Sequence, residues 1–170
     1  MQSKYVIIFG SSRSNGHTRK AVDIAFENVD HKFIDLSQFS ISEFDYEARN
    51  RDDDFLSVIE KIRAYDHIVF ATPIYWYGPS SKLKIFLDRF SDLLKDPLKD
   101  IGRSLKGKKI YVVSSNGTAA SPTFEKQFEL ICEYMSMDYM GCYNHHSGED
   151  KQQLSDSEQS LIAFRKKISS

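Results

Sequence analysis

Small and hydroxyl-bearing residues fill a short segment between an apolar run and a helical pattern. Residues 10–18 read Gly-Ser-Ser-Arg-Ser-Asn-Gly-His-Thr, directly after Tyr-Val-Ile-Ile-Phe. Backbone amides at a helix N-terminus, together with hydroxyls, can solvate a phosphate without a lysine, because that helix end carries partial positive charge. The segment contains neither the lysine of a phosphoryl-transfer loop nor the cysteine of a thiol phosphatase. It predicts a site for a phosphate that stays intact; an ordinary Ser/Asn helix cap is the alternative.

Three consecutive aromatic residues follow a later apolar run. Residues 71–80 read Ala-Thr-Pro-Ile-Tyr-Trp-Tyr-Gly-Pro-Ser. Neighbouring loop residues cannot all point into a core, and an exposed aromatic cluster is a liability unless it binds something. Tyr75, Trp76 and Tyr77 therefore suit a flat ring such as an isoalloxazine, a nicotinamide or a quinone. The alternative is that Trp76 fills a gap beneath a loop.

A third loop, residues 114–122, offers weaker signals. Gly117 allows a close backbone approach, and Asn116 and Thr118 provide polar contacts. An Asn-Gly pair alone is most often just a turn.

The elements that must position these loops alternate along the chain. Apolar β-type runs cover 5–9, 32–36, 67–71, 109–114 and 137–143, and helical patterns follow each of them. This order predicts an α/β fold, a doubly wound parallel sheet with helices on both faces. Ligands of such sheets bind beyond the carboxyl ends of the strands, which is where all three loops fall.

The bulk composition favours a small partner. The chain has 170 residues, 41% of them hydrophobic, and a formal net charge of -1. One domain over residues 1–170 is expected, and neither nucleic acid nor a membrane surface is favoured. The two cysteines lack CxxC spacing, and the amino-terminal apolar run is too short for a signal peptide or a span, so a cytoplasmic protein is expected.

The first two motifs together resemble a known family. Gly-Ser-Ser-Arg-Ser-Asn-Gly-His-Thr and the later Thr-Pro-Ile-Tyr-Trp-Tyr-Gly-Pro-Ser-Ser-Lys-Leu-Lys-Ile-Phe-Leu-Asp-Arg-Phe are similar to those of NADPH-dependent FMN reductase-like flavoproteins. This family includes NAD(P)H:quinone oxidoreductase-type proteins and is related to iron-sulfur flavoproteins. The resemblance implies a flavodoxin-like fold with five parallel strands in the order 2-1-3-4-5.

The resemblance also implies a non-covalently bound FMN and the residues that hold it. Its phosphate would contact Ser11, Arg13, Ser14, Asn15, Gly16, His17 and Thr18. Its ring would contact Pro73, Ile74, Tyr75, Trp76, Tyr77, Asn116 and Gly117. No side chain is expected to act as a catalytic group, because the flavin N5 atom carries the chemistry, and no metal is expected.

The implied activity is hydride transfer from NADPH or NADH through FMN to a quinone, flavin, nitro or azo acceptor, in a ping-pong scheme. Two alternatives remain: an electron carrier like flavodoxin, which the balanced charge disfavours, and a flavin-binding or flavin-free regulatory module. The resemblance further implies a homodimer.

Several features depart from the family pattern or stand outside it. Residues 42–54 contain no cysteine where iron-sulfur flavoproteins carry their cluster, which excludes a cluster there. Lys82 replaces a frequent amide and is interpreted as a solvated surface lysine. Segment 37–53 is a candidate interface or lid, and 144–153 is interpreted as a polar loop rather than a histidine metal site. Asp52–Asp54 suit a helix start, and Asp88-Arg89 suit a structural role, with a subunit interface as one place for it.

Overall fold

A computed structural model describes residues 4–117 and 121–169, in which a parallel sheet carries helices on both faces. The strands are β1 (Tyr5–Phe9), β2 (His31–Asp35), β3 (His67–Tyr75), β4 (Gly78–Pro79), β5 (Lys109–Asn116) and β6 (Asp138–His146). The helices are α1 (His17–Ala25), α2 (Phe55–Ile62), α3 (Ser81–Asp88), α4 (Lys99–Arg103), α5 (Pro122–Met135) and α6 (Lys151–Ile168), with 3-10 turns at Leu36–Gln38 and Arg89–Leu94.

The sheet order is β2-β1-β3-β5-β6, and the short β4 pairs only with β3, antiparallel to it. Counting the five parallel strands alone, this is the predicted order 2-1-3-4-5, so the predicted fold class is confirmed. The carboxyl ends of β1, β3 and β5 consequently lie side by side, as the pairing of Phe9 with Ala71 and of Pro73 with Ser115 shows. The three predicted loops leave from this one edge.

Alternate residues of the central strands enter two separate cores. On one face Val6 and Ile8 pack with α2, α3 and α5, and on the other Ile7 and Phe9 pack with α1 and α6. Both faces of the sheet are buried, which explains why the strand sequences are continuous apolar runs. No helix of the described residues has the length and apolar character needed to cross a bilayer.

Two predicted loops turn out to be partly strand. Pairing with β5 extends β6 through His146, and α6 begins at Lys151, so the predicted irregular segment 144–153 shrinks to four residues. Likewise β3 continues through Tyr75 and folds back as β4, so the second predicted loop, within residues 71–80, is largely a hairpin. In both places cross-strand hydrogen bonds outweigh the polar or turn-like composition.

Segment 37–53 is tied to the body of the protein by a buried arginine. The Arg89 guanidinium lies 2.5 Å from Asp53 and 2.6 Å from Asp92, and it also donates to the Ser42 carbonyl at 3.1 Å. Burial alone would raise the pKa of Asp53, but its hydrogen bonds with Arg89, Ser42 and Phe55 hold that pKa below the usual value. Arg89 therefore has the predicted structural role, and it acts within the chain.

Candidate functional site

The three predicted loops meet around one cavity of about 230 Å³ at the carboxyl edge of the sheet. It is lined by Ser11, Arg13, Gly16, His17, Thr18, Pro73, Ile74, Tyr75, Ser115, Asn116, Gly117 and Ser147. Ten of these are predicted site residues, among them representatives of each loop. No carboxylate occurs in this lining, as an anionic ligand requires.

One end of the cavity is the start of α1. Gly16 is the N-cap residue and offers no side chain to the first-turn amides, and that turn contains no acidic residue. Such a helix start can bind a phosphate through its backbone N–H groups and its dipole. Thr18 is buried beside it, with Oγ1 only 2.7 Å from Ser115 Oγ, which fastens the first loop to the third.

Three first-loop residues take different positions. Arg13 lines the cavity, whereas Ser14 and Asn15 do not. The Ser14 hydroxyl donates to Asp35 at 2.6 Å, at the end of β2. Burial would raise the pKa of Asp35, but hydrogen bonds from Ser14 and Ser37 and the nearby Lys82 charge hold that pKa below its usual value. Lys82 itself is exposed on α3, in agreement with its interpretation as a surface lysine.

A buried serine joins the first and second loops. Ser80 caps α3 by accepting from the Leu83 N–H at 3.3 Å, and its hydroxyl donates to the Gly10 carbonyl at 2.5 Å. Its own N–H donates to Thr72 Oγ1 at 2.9 Å. A Cβ at Gly10 would stand 2.7 Å from the Leu83 Cβ, so only glycine lets α3 approach this closely. Sequence reasoning did not find this junction.

The aromatic residues of the second loop form the tip of the β3–β4 hairpin. Tyr75 pairs with Gly78, and the two residues between them, Trp76 and Tyr77, have φ angles of 49° and 65°. Of the three rings only that of Tyr75 lines the cavity; the residues Trp76 and Tyr77 are 96% and 66% exposed. The structure thus brings Pro73, Ile74 and Tyr75 to the cavity and leaves Trp76 and Tyr77 beyond its rim.

The third loop supplies the opposite wall. Asn116 and Gly117 line the cavity, and the Asn116 carbonyl accepts from both the N–H and the hydroxyl of Ser147, at 2.8 and 2.7 Å. Chain neighbours aside, no heavy atom of the described residues lies within 4 Å of a Cβ built at Gly117, so among these residues this wall has room for a ring. Thr118 lies outside the described residues. Sequence reasoning missed Ser115, which is hidden in a strand, and Ser147, which lies in the segment interpreted as a loop.

The adjacent residues His145 and His146 differ in their surroundings. His145 Nδ1 lies 3.0 Å from the Tyr143 hydroxyl, and burial, reinforced by Lys20 and His17, lowers the pKa of His145. His146 is buried at the end of β6. Among residues 4–117 and 121–169 no group of three or more histidine, cysteine, aspartate or glutamate side chains could hold a metal ion.

A doubly wound parallel sheet, with an uncapped helix start after β1 at a cavity on the carboxyl edge of the sheet, is typical of flavoproteins of the flavodoxin-like class. Residues 3–150 match the family described as NADPH-dependent FMN reductase. The chain belongs to this family.

Individual relatives agree. The chain is 33% identical over 151 residues to YwqN of Bacillus subtilis, assigned as an NAD(P)H-dependent FMN-containing oxidoreductase, with 81% of this chain and 82% of YwqN covered. The solved Trp repressor binding protein of Bacillus subtilis is 30% identical, with a TM-score of 0.75 and 97% of each chain covered. A flavodoxin, WrbA-like protein of Agrobacterium tumefaciens shares the fold at 17% identity, with a TM-score of 0.65 and 99% and 97% covered.

Family membership confirms the enzyme class and the cofactors predicted from the sequence. The protein is an oxidoreductase that uses FMN and a nicotinamide cofactor. The residues present fit FMN on structural grounds, because the uncapped α1 start suits its phosphate and the space at Gly117 suits its ring.

Proposed function

We propose that this protein oxidises NADPH or NADH and reduces a small organic acceptor, such as a quinone, flavin, nitro or azo compound, in a ping-pong scheme. The observation that carries the proposal is that one cavity joins the uncapped start of α1 to Tyr75 of the second loop and Gly117 of the third. The chemistry that bound FMN supplies is acceptance of a hydride at N5, and the acceptor then gains those two electrons and two protons, one of them from solvent.

In this proposal the chain's own residues bind and orient FMN. The first-turn amides of α1, with Ser11, Arg13 and Thr18, would hold the phosphate, and Arg13 adds a charge-assisted hydrogen bond. Pro73, Ile74 and Tyr75 would border one side of the ring. Asn116 and Gly117 would border the other, in a position fixed by Ser147. The indirect first-loop contributor is Ser14, which would hold the loop through Asp35.

The test is an anaerobic visible spectrum of the FMN-loaded protein before and after one equivalent of NADPH, then of NADH. Rapid loss of the flavin band with either donor is expected, and the faster donor identifies the preferred nicotinamide. A flavin that stays oxidised would favour an electron carrier, and protein that takes up no FMN would favour a regulatory module.

Three broader proposals accompany this function. A homodimer is supported by an open groove of about 420 Å³ between α5 and the α3 region, lined by apolar residues that include the exposed Leu94, Leu130 and Tyr134.

A cytoplasmic location is supported by two cysteines, Cys132 and Cys142, that remain free thiols. A single domain over residues 1–170 is supported by the one sheet that both cores share.

A further inference from the structure

Trp76 and Tyr77 are unfavourable residue types for the geometry of the turn that they form. A two-residue hairpin with positive φ at both central positions is a type I′ turn, which favours Asn-Gly because bulky L-residues are strained there. Here the φ angles are 49° for Trp76 and 65° for Tyr77. A chain that needed only a reversal at this point would be better served by Asn-Gly.

The rings of Trp76 and Tyr77 are not stabilised by burial in the core. Trp76 is 96% and Tyr77 66% exposed, and neither lines the cavity, although Tyr75, one residue away, does. The hairpin is nevertheless held in place. Ile74 pairs with Pro79, and Gln127 of α5 donates to the Tyr77 carbonyl at 3.1 Å. Strain, exposure and fixed placement beside a cavity together point to a ligand outside that cavity.

We propose that Trp76 and Tyr77 are specificity-determining residues that bind the ring of the second aromatic reactant, the electron acceptor, and not the FMN ring. Tyr75 then belongs to the flavin site, and the turn extends that site outward as a stacking surface. This inference rests on the proposed function, since it assigns the acceptor's binding position. It differs from the expectation that all three aromatic residues contact the flavin.

The experiment replaces the turn with its preferred sequence, Trp76→Asn together with Tyr77→Gly. Three quantities are compared with the wild type: Tm, the Kd for FMN of the apoprotein, and the Kd for menadione of the FMN-loaded, oxidised protein by equilibrium dialysis. Relief of strain should raise Tm by about 3 °C. The Kd for menadione should rise about fivefold, while the Kd for FMN stays within about twofold of the wild type.

The matched control is Ser136→Gly, which relieves a positive φ of 55° at the C-cap of α5, away from the cavity. It should raise Tm and leave both dissociation constants unchanged. If the double variant does not fold, Trp76→Asn alone should still weaken menadione binding.

Two results would overturn the inference. A rise in the Kd for FMN equal to that for menadione would indicate that the two rings belong to the flavin site. An unchanged Kd for menadione would remove their role in binding. Both measurements are equilibrium constants, so they remain interpretable even if the anaerobic spectrum shows no reduction and the proposed function fails.

Discussion

Gly117 lines the cavity, and no described heavy atom lies within 4 Å of the position where its Cβ would stand. For Gly117→Ala we expect an unchanged Tm of the apoprotein, because the added methyl group contacts no atom of the described residues beyond its chain neighbours. The Kd for FMN should rise about tenfold, because the ring must then avoid the methyl group. Fluorescence titration of FMN checks this. An unchanged Kd would show that the ring does not approach this wall.

Arg89 provides a second test at a single residue. Its side chain and that of Asp53 are 1% and 7% exposed. Arg89→Met should lower the free energy of unfolding by about 3 kcal/mol, because two carboxylates lose their buried partner. The control is Arg103→Met, which breaks an ion pair whose members are 67% and 90% exposed and should have little effect in urea unfolding. Equal losses for the two variants would contradict the argument.

His67 predicts a pH dependence of stability. Its ring is buried between Tyr5 and Tyr111, and burial, helped by Lys4 and Lys109, lowers the pKa of His67. The unfolded chain therefore binds a proton first, at its ordinary pKa of about 6.5. The contribution of His67 to stability is complete above that pH and is lost as the pH falls from about 6.5 towards the folded-state pKa.

The substitution His67→Gln removes this titration. Urea unfolding of the wild type at pH 7.5 and 5.0 (about one unit above and 1.5 below 6.5) should show a larger loss than the same comparison for the variant. Identical losses would mean that His67 is protonated equally in both states.

At the scale of elements, α3 joins two loops through Ser80. Ser80→Ala should cost about 1–2 kcal/mol of stability, because a helix cap and the partner of the buried Gly10 carbonyl are lost. It should also raise the Kd for FMN, because the first loop loses its attachment to α3. Ser160→Ala is the control: it removes two hydrogen bonds between α6 and β6 and should lower Tm without changing the Kd. Equal effects on the Kd would exclude a positioning role.

The helices and strands were largely predictable from the sequence, because the burial of both faces of the sheet sets their apolar periodicity. The cavity was predictable in outline because loops after neighbouring parallel strands must meet. What the local pattern could not reveal depends on distant partners: Ser147 reaches the site through its hydrogen bonds to Asn116. The exposure of Trp76 could not be predicted for a related reason, since the pairing of Tyr75 with Gly78 turns its ring out to solvent.

For the whole molecule, the proposed homodimer should depend on the apolar groove beside α5. Leu130 on α5 is 51% exposed there. Leu130→Glu should shift the mass measured by size exclusion with light scattering from dimer to monomer, because association would bury the charge. Ile162→Glu, on α6 and 57% exposed, is the control and should not shift it. A wild-type monomer at micromolar concentration would remove both the dimer and any shared site.

The exposed position of Trp76 also decides how this protein can be followed optically. It is the one tryptophan of the chain and is already in water in the folded state. Indole emission should therefore have a red-shifted maximum before denaturant is added and move little on unfolding, so circular dichroism is the better probe of stability. The same emission would instead report locally on a ligand that binds at the tip of the β3–β4 hairpin.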